Sequence, residues 1–316
     1  MVKIVGKINL DNLHQHHREG KKNTEDASEY VRNTNEIISD IESVMSHNVN
    51  LVAERMHSFE GAPDNLISSR GSININSFDA VYGGEDIDSD KHLTHENKKS
   101  FYNVFDPRVQ ERCGISDPDT LLEFLQHNQK EKMRDGNISE DLLFLMMNKV
   151  AGDRYITLKT SEYDDFENGV DMVLVDTQTD AVICTFDATV SDVKSRMHHK
   201  IDRAKDRIKK GKGLRMKYGV SFDEDQKMKL GAIKNIPPLF LDLSKTDLKR
   251  ILRVMDFRID SELSDIEIQV ASNLLDKMDD QVDMLDAVSA ETISYDSSRE
   301  FIQHVRETLL NLQKPE

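Results

Sequence analysis

Residues 169–190 read G-V-D-M-V-L-V-D-T-Q-T-D-A-V-I-C-T-F-D-A-T-V. Two apolar runs flank a short polar turn, and each carries an aspartate: Asp171 opens the first, and Asp187 stands two residues before Thr189 in the second. The composition predicts a hairpin of two strands. Side chains alternate across a strand, so Ile183, Thr185, Asp187 and Thr189 share one face, and Val182, Cys184, Phe186, Ala188 and Val190 form an apolar one. An aspartate on an otherwise buried hairpin is costly unless something compensates it, and a bound cation is one common compensation. Cys184 reads as core.

The segments around this hairpin form the best organised part of the chain, residues 137–258. Ser139-Glu140-Asp141 opens a helix whose apolar run is Leu142 to Val150. A strand is expected from Tyr155 to Leu158. The acidic stretch Glu162 to Glu167 reads as a turn at the strand entrance, with Asp164, Asp165 and Glu167 as minor candidates for a second cation. After Asp187, Ser191-Asp192 caps a helix that turns Val193, Met197, Ile201, Ala204 and Ile208 inward. Gly211 and Gly213 end it. Leu214 to Val220 reads as the next strand, Leu239 to Leu243 as a further strand entered through Pro237-Pro238, and Ser244 as the cap of another helix. The resulting core is α/β (α+β), in the order helix, strand, strand, strand, helix, strand, with a strand and helix appended.

Long helical extensions are expected on both sides. Residues 1–136 form a helical N-terminal region. It holds a polar segment with His14, His16 and His17, a helix from Thr24 to about Phe59, and a flexible linker at about 60–100 rich in Gly, Ser, Asp and Asn. Residues 259–316 form a helical C-terminal extension with two apolar stripes: Ile266, Val270, Leu274, Met278 and Leu285, then Phe301, Val305, Leu309 and Leu312. These stripes would pack on the N-terminal helix or on a second copy of the chain, giving a homo-oligomer.

A hydrophobic content of 37% with 32% charged residues, and a mean hydropathy of -0.58, describe a modest core with much solvated helix. No apolar run approaches the ~20 residues needed to span a bilayer, so no membrane partner is expected. Two cysteines suggest a reducing, cytoplasmic setting without a disulfide framework. The net charge of -16 is unevenly spread. From Lys194 to Lys217 eleven Lys and Arg face only Asp202 and Asp206, a local balance of +9 that leaves -25 for the rest. A positive patch on an acidic body is a candidate nucleic-acid face, and Lys194, Lys200, Lys205 and Lys209 are its expected phosphate contacts. The sequence holds no Gly-rich phosphate loop, G-K-[ST] or H-E-x-x-H, which argues against nucleotide-hydrolase and zinc-protease classes.

The element order, with an aspartate opening one central strand and a second acidic residue near the end of the next, resembles the PD-(D/E)XK nuclease superfamily. The resemblance covers about residues 137–220. By position it implies that Asp171 and Asp187 are the two metal-ligating acids and that Glu140, in the preceding helix, is the additional glutamate. It implies Mg²⁺ or Mn²⁺ as cofactor and phosphodiester bonds of DNA or RNA as substrate. Metal held by carboxylates makes a water nucleophilic and neutralises charge developing on phosphate. The motif's lysine position is occupied by Thr189, which departs from the family pattern. Lys194, in the first turn of the following helix, is the expected substitute, and Lys200 the next. Three functional classes follow: a metal-dependent nuclease, a nucleic-acid-binding module on the same fold that does not cut, and a helical interaction or scaffolding protein.

Overall fold

The computed structural model describes residues 34–129, 134–179, 181–190, 194–254, 256, 258–289 and 293–312. The helices before the sheet are α1 (Thr34–His57), α2 (Asp79–Tyr82), α3 (Gly84–Phe101), α4 (Pro107–Cys113), α5 (Pro118–Gln129) and α6 (Arg134–Ala151), with a 3-10 turn at Ile75–Phe78. There follow β1 (Tyr155–Lys159), α7 (Glu162–Asn168), β2 (Met172–Asp176), β3 (Val182–Val190), α8 (Lys194–Ile208), β4 (Leu214–Phe222), β5 (Met228–Ile236) and β6 (Pro238–Leu243). Helices α9 (Lys245–Val254), α10 (Asp265–Asp286) and α11 (Asp296–Leu312) end the chain's described part. The expected start and cap at Thr24, the segment with His14, His16 and His17, and the Ser191-Asp192 cap lie outside the described residues.

The principal sheet is mixed, in the order β1-β2-β3-β6. β1, β2 and β3 form an antiparallel meander, and β6 pairs parallel to β3 with Thr185 opposite Pro238 and Val190 opposite Leu243. A parallel pair requires a crossover, which α8 and the β4/β5 hairpin supply. This corrects one expectation. Leu214–Phe222 is not the fourth strand of the main sheet; it pairs with β5 in a separate two-stranded sheet, and the main sheet is completed by Pro238–Leu243. The reason lies in composition. β6 reads P-L-F-L-D-L and is almost wholly buried, as a strand covered on both faces must be. β4 instead carries Arg215 and Lys217 and leaves Leu214, Arg215, Lys217 and Ser221 partly or fully open to solvent.

β6 is an edge strand, and its open side is covered by α10. Gln281, buried, accepts from the Phe240 N–H and donates to the Phe240 carbonyl, both at 2.8 Å. A side-chain amide thus stands in for a missing strand and blunts the edge. Helix α6 packs on β1 and β3 through the buried run Leu142 to Met147, and α10 and α11 pack on α6, on each other and on the sheet. The stripes of α10 and α11 are therefore used within the chain: Val270, Leu274, Met278, Leu285, Phe301, Val305 and Leu309 are all buried. Lys149 of α6 and Glu267 of α10, each 1% exposed, form an ion pair at 2.7 Å, and Glu267 also closes the capping box with Ser264.

Residues 60–100 are not a loose linker. Leu66, Ile73, Phe78 and Ile87 join the same apolar cluster as the sheet. The Ile73 N–H donates to the Lys159 carbonyl at 3.0 Å, and Ser72 bridges parallel to Lys159 at the end of β1. Asp90 of α3 is buried against β4, accepting from the Tyr218 hydroxyl at 2.5 Å and pairing with Lys217. No helix among the described residues is long and apolar enough to cross a membrane.

Candidate active site: a carboxylate cluster beside the sheet

Asp171 and Asp187 meet across the β2/β3 pair. Met172 lies opposite Phe186, so continuing the antiparallel register by one residue sets Asp171 opposite Asp187, on one face of the hairpin. Two hydrogen bonds fix Asp171 there. Its N–H donates to the Phe186 carbonyl at 3.2 Å, and its Oδ2 accepts from the Ala188 N–H at 2.7 Å. Glu140 approaches from α6. Asp165 approaches from α7 and shares a side-chain hydrogen bond with Asp171.

The electrostatics show four acids in one field. Burial pushes Asp171 up to about 8, with Asp187, Glu140 and Asp165 adding to the rise and the Ala188 N–H opposing it. Burial pushes Glu140 up to about 7, helped by Asp165, Asp141 and Asp187 and opposed by Lys159. Asp165 is exposed to solvent along its side chain, yet crowding of its carboxyl and the charges of Glu162 and Asp187 raise it to about 6, against Lys98 and the hydrogen bond with Asp171. Like charges that repel one another in a partly dry site hold protons to which isolated carboxylates would not cling.

Besides Lys98, which acts on Asp165, two further lysines among the described residues meet this cluster. Lys200 of α8 places its Nζ 2.6 Å from Asp187 Oδ1, and Lys159 at the end of β1 pairs with Asp141. The lysine brought to the second aspartate is thus Lys200. Lys194 is the first residue of α8, and its side chain, like that of Thr189, lies outside the described ones. The Thr189 backbone sits opposite Asp242 of β6. The donor set is all carboxylate oxygen, which suits a hard divalent cation such as Mg²⁺ or Mn²⁺ in chemistry. Among the described residues, no three His, Cys, Asp or Glu side chains are drawn together into a metal cage; two of the oxygens are held by the Ala188 N–H and by Lys200.

Two expectations change. The acidic stretch before β2 is a helix, capped by Ser161, whose Oγ accepts from the Asp164 N–H, and ended by Gly169 in the left-handed conformation. Successive helix residues diverge by ~100°, so Asp164 and Asp165 serve different ends. Asp164 is fully buried and accepts from Lys217 N, Tyr218 N, Asn168 Nδ2 and Ser161 Oγ. Asp165 joins the cluster, and the pattern Ser-x-x-Asp with a later glycine was the signal for the helix that separates them. Glu167 turns outward to Asn97. Lys200, Lys205 and Lys209, secondly, do not share a face. Ile201, Ala204 and Ile208 turn inward, and Lys205 stands roughly 140° around α8 from Lys200. Lys209 lies in the turn beyond the helix. On the Lys200 flank the basic residues in line are Arg203 and Arg207, both exposed.

Comparison of the chain with protein-family models, with curated proteins and with solved structures gives no match.

Proposed function

We propose that this protein is a divalent-metal-dependent phosphodiesterase acting on DNA or RNA, built on a core of PD-(D/E)XK type. The observation that carries the reading is the group of mutually repelling acids Glu140, Asp165, Asp171 and Asp187 with the Lys200 ammonium against Asp187. The element order supports it: α6, an antiparallel β1-β2-β3 meander, then α8 as crossover to β6 parallel with β3.

Asp171, Asp187 and Glu140, with Asp165 beside them, would hold Mg²⁺ or Mn²⁺. The ion supplies charge neutralisation at the attacked phosphate and a bound water of lowered pKa. The chain's own groups do the rest. Lys200 provides the positive charge that a threonine hydroxyl cannot, within the reach of the phosphate that approaches Asp187. Glu140, raised to about 7 in the metal-free protein, would give up its proton on taking the ion.

Labelled DNA and RNA strands incubated with Mg²⁺ or Mn²⁺ test the reading. Cleavage is expected, abolished by Asp187→Ala and lowered about 10²-fold by Lys200→Ala, the range for losing an electrostatic or acid–base group. A second reading is favoured by Thr189 in the lysine position: a module on this core that binds nucleic acid without cutting. It wins if the unmodified protein binds strands in a salt-dependent way and cuts none with either metal.

A further inference from the structure

Beside the carboxylate cluster lies a cavity of about 480 Å³, within the ~300–1,000 Å³ of small-molecule sites. Its walls come from the 68–75 loop, from α3 and from the start of α7. The loop is anchored next to the site, since Ser72 bridges to Lys159 and Lys159 pairs with Asp141. Gly71, with φ +81°, lets the loop turn, and a Cβ there would stand 3.0 Å from Val49. Ser68 Oγ accepts from the Arg70 and Ser72 N–H groups, which holds Arg70 at the rim.

The lining is cationic. Arg70, Lys91 and Lys98 face a single lining carboxylate, Glu162, while His95 meets Asp119 at 2.8 Å; Ser69 adds a hydroxyl, and those of Ser68 and Ser72 are hydrogen-bonded to each other at 2.8 Å. Lys98 meets Glu162 at 2.7 Å and Lys91 meets Asp88 at 2.9 Å, whereas Arg70 has no ion-pair partner among the described residues. Arginine and lysine with serine hydroxyls are the donors that recognise phosphate. Tyr163, whose ring also meets Lys217 and Tyr218, and Ile75 supply an aromatic and aliphatic wall along which a planar base can lie. Lys98 lines the cavity and acts electrostatically on Asp165, so cavity and cluster adjoin.

We propose that this cavity binds a nucleoside monophosphate group, with its phosphate against Arg70, Lys91 and Lys98 and its base along Tyr163. The group is either the phosphorylated end of a strand, which rests on the proposed nuclease function, or a free mononucleotide, which does not.

The test is calorimetric titration of the full chain, in chelator, with adenosine 5′-monophosphate and with adenosine. The nucleotide is expected to bind at least tenfold more tightly than the nucleoside. The doubly substituted Arg70→Gln, Lys91→Gln protein is expected to lose at least tenfold of that affinity. Both side chains are exposed, so the fold should persist, and unchanged thermal unfolding checks it. Nucleotide binding no tighter than adenosine, or unaltered in the double variant, overturns the proposal. Oligonucleotides with and without a terminal phosphate then separate the sources. A phosphate preference lost in the variant supports the strand end, and none, with the mononucleotide still bound, supports the free nucleotide. Cleavage of strands by a protein that ignores the nucleotide overturns the cavity proposal alone. Nucleotide binding by a protein that cuts nothing supports it and overturns only the catalytic reading.

Discussion

Asp164 and Asp165 are neighbours on one short helix, and they meet opposite fates. Asp164 is sealed in the interior, but four donors converge on its carboxylate, two of them main-chain N–H groups of β4. Burial still raises its pKa, and the donors pull against that rise. It is a strut that ties α7 to the β4/β5 hairpin. Asp165 faces Asp171, Asp187 and Glu140, and what surrounds it is mostly more negative charge. The buried Lys149–Glu267 pair resembles the first case, a charge fully answered by the chain itself. The difference teaches how to tell a structural acid from a functional one: the question is whether the fold supplies the compensating partners or leaves them to a ligand.

The largest effect expected from this contrast is structural. Asp164→Ala would leave the Lys217 and Tyr218 N–H groups without their acceptor. At about 1–3 kcal/mol for each buried group left unsatisfied, the loss should reach roughly 2–6 kcal/mol, a large part of a domain's stability. Urea unfolding measures it. A loss below about 1 kcal/mol, no more than an ordinary net hydrogen bond, would dissolve the distinction between the two aspartates.

Asp171→Asn should act in the other direction and by a smaller amount. The amide oxygen can keep the Ala188 hydrogen bond while one source of repulsion disappears. The sign follows from linkage. A folded-state pKa of about 8 against an ordinary 3.8 means that the folded protein holds more protons than the unfolded one between those values. Stability of the metal-free protein therefore falls as pH rises from about 4 to about 8. The asparagine variant should lack this part of the decline and be more stable than the unmodified protein at pH 8, by ~1–2 kcal/mol, as substitutions at strained functional sites commonly are. Thermal unfolding at pH 5 and pH 8 reads both numbers. Destabilisation at pH 8 would sharpen the contrast the wrong way, making Asp171 a second strut.

Much of this was legible in residues 169–190, because period-two alternation and a polar turn leave little choice but a hairpin, and the Asp171–Asp187 juxtaposition follows from its register. The Ser244 cap and the α10 stripe were legible for the same kind of reason, being local. What was not legible depends on distant contacts. Leu66, Ile73, Phe78 and Ile87 are isolated apolar residues in a polar stretch, and only the sheet they pack on turns them into anchors. The choice of β6 over β4 as partner of β3 is made by two-sided burial, which separates a P-L-F-L run from a strand bearing Arg215 and Lys217 only once the helices are in place. Lys200 reaches Asp187 because of where α8 crosses the sheet, which its position six residues beyond Lys194 does not reveal.

The central claim is that this cluster is short of positive charge and takes it from a divalent cation. Titration calorimetry with Mn²⁺ at pH 7, repeated in buffers of different ionisation enthalpy, tests it independently of any cleavage. Asp171, raised to about 8, and Glu140, raised to about 7, carry protons there that a bound cation must displace. The prediction is saturable binding that releases about one proton or more per ion and is lost in Asp187→Asn. No binding at millimolar Mn²⁺, or binding with no proton released and none lost in the variant, would contradict it.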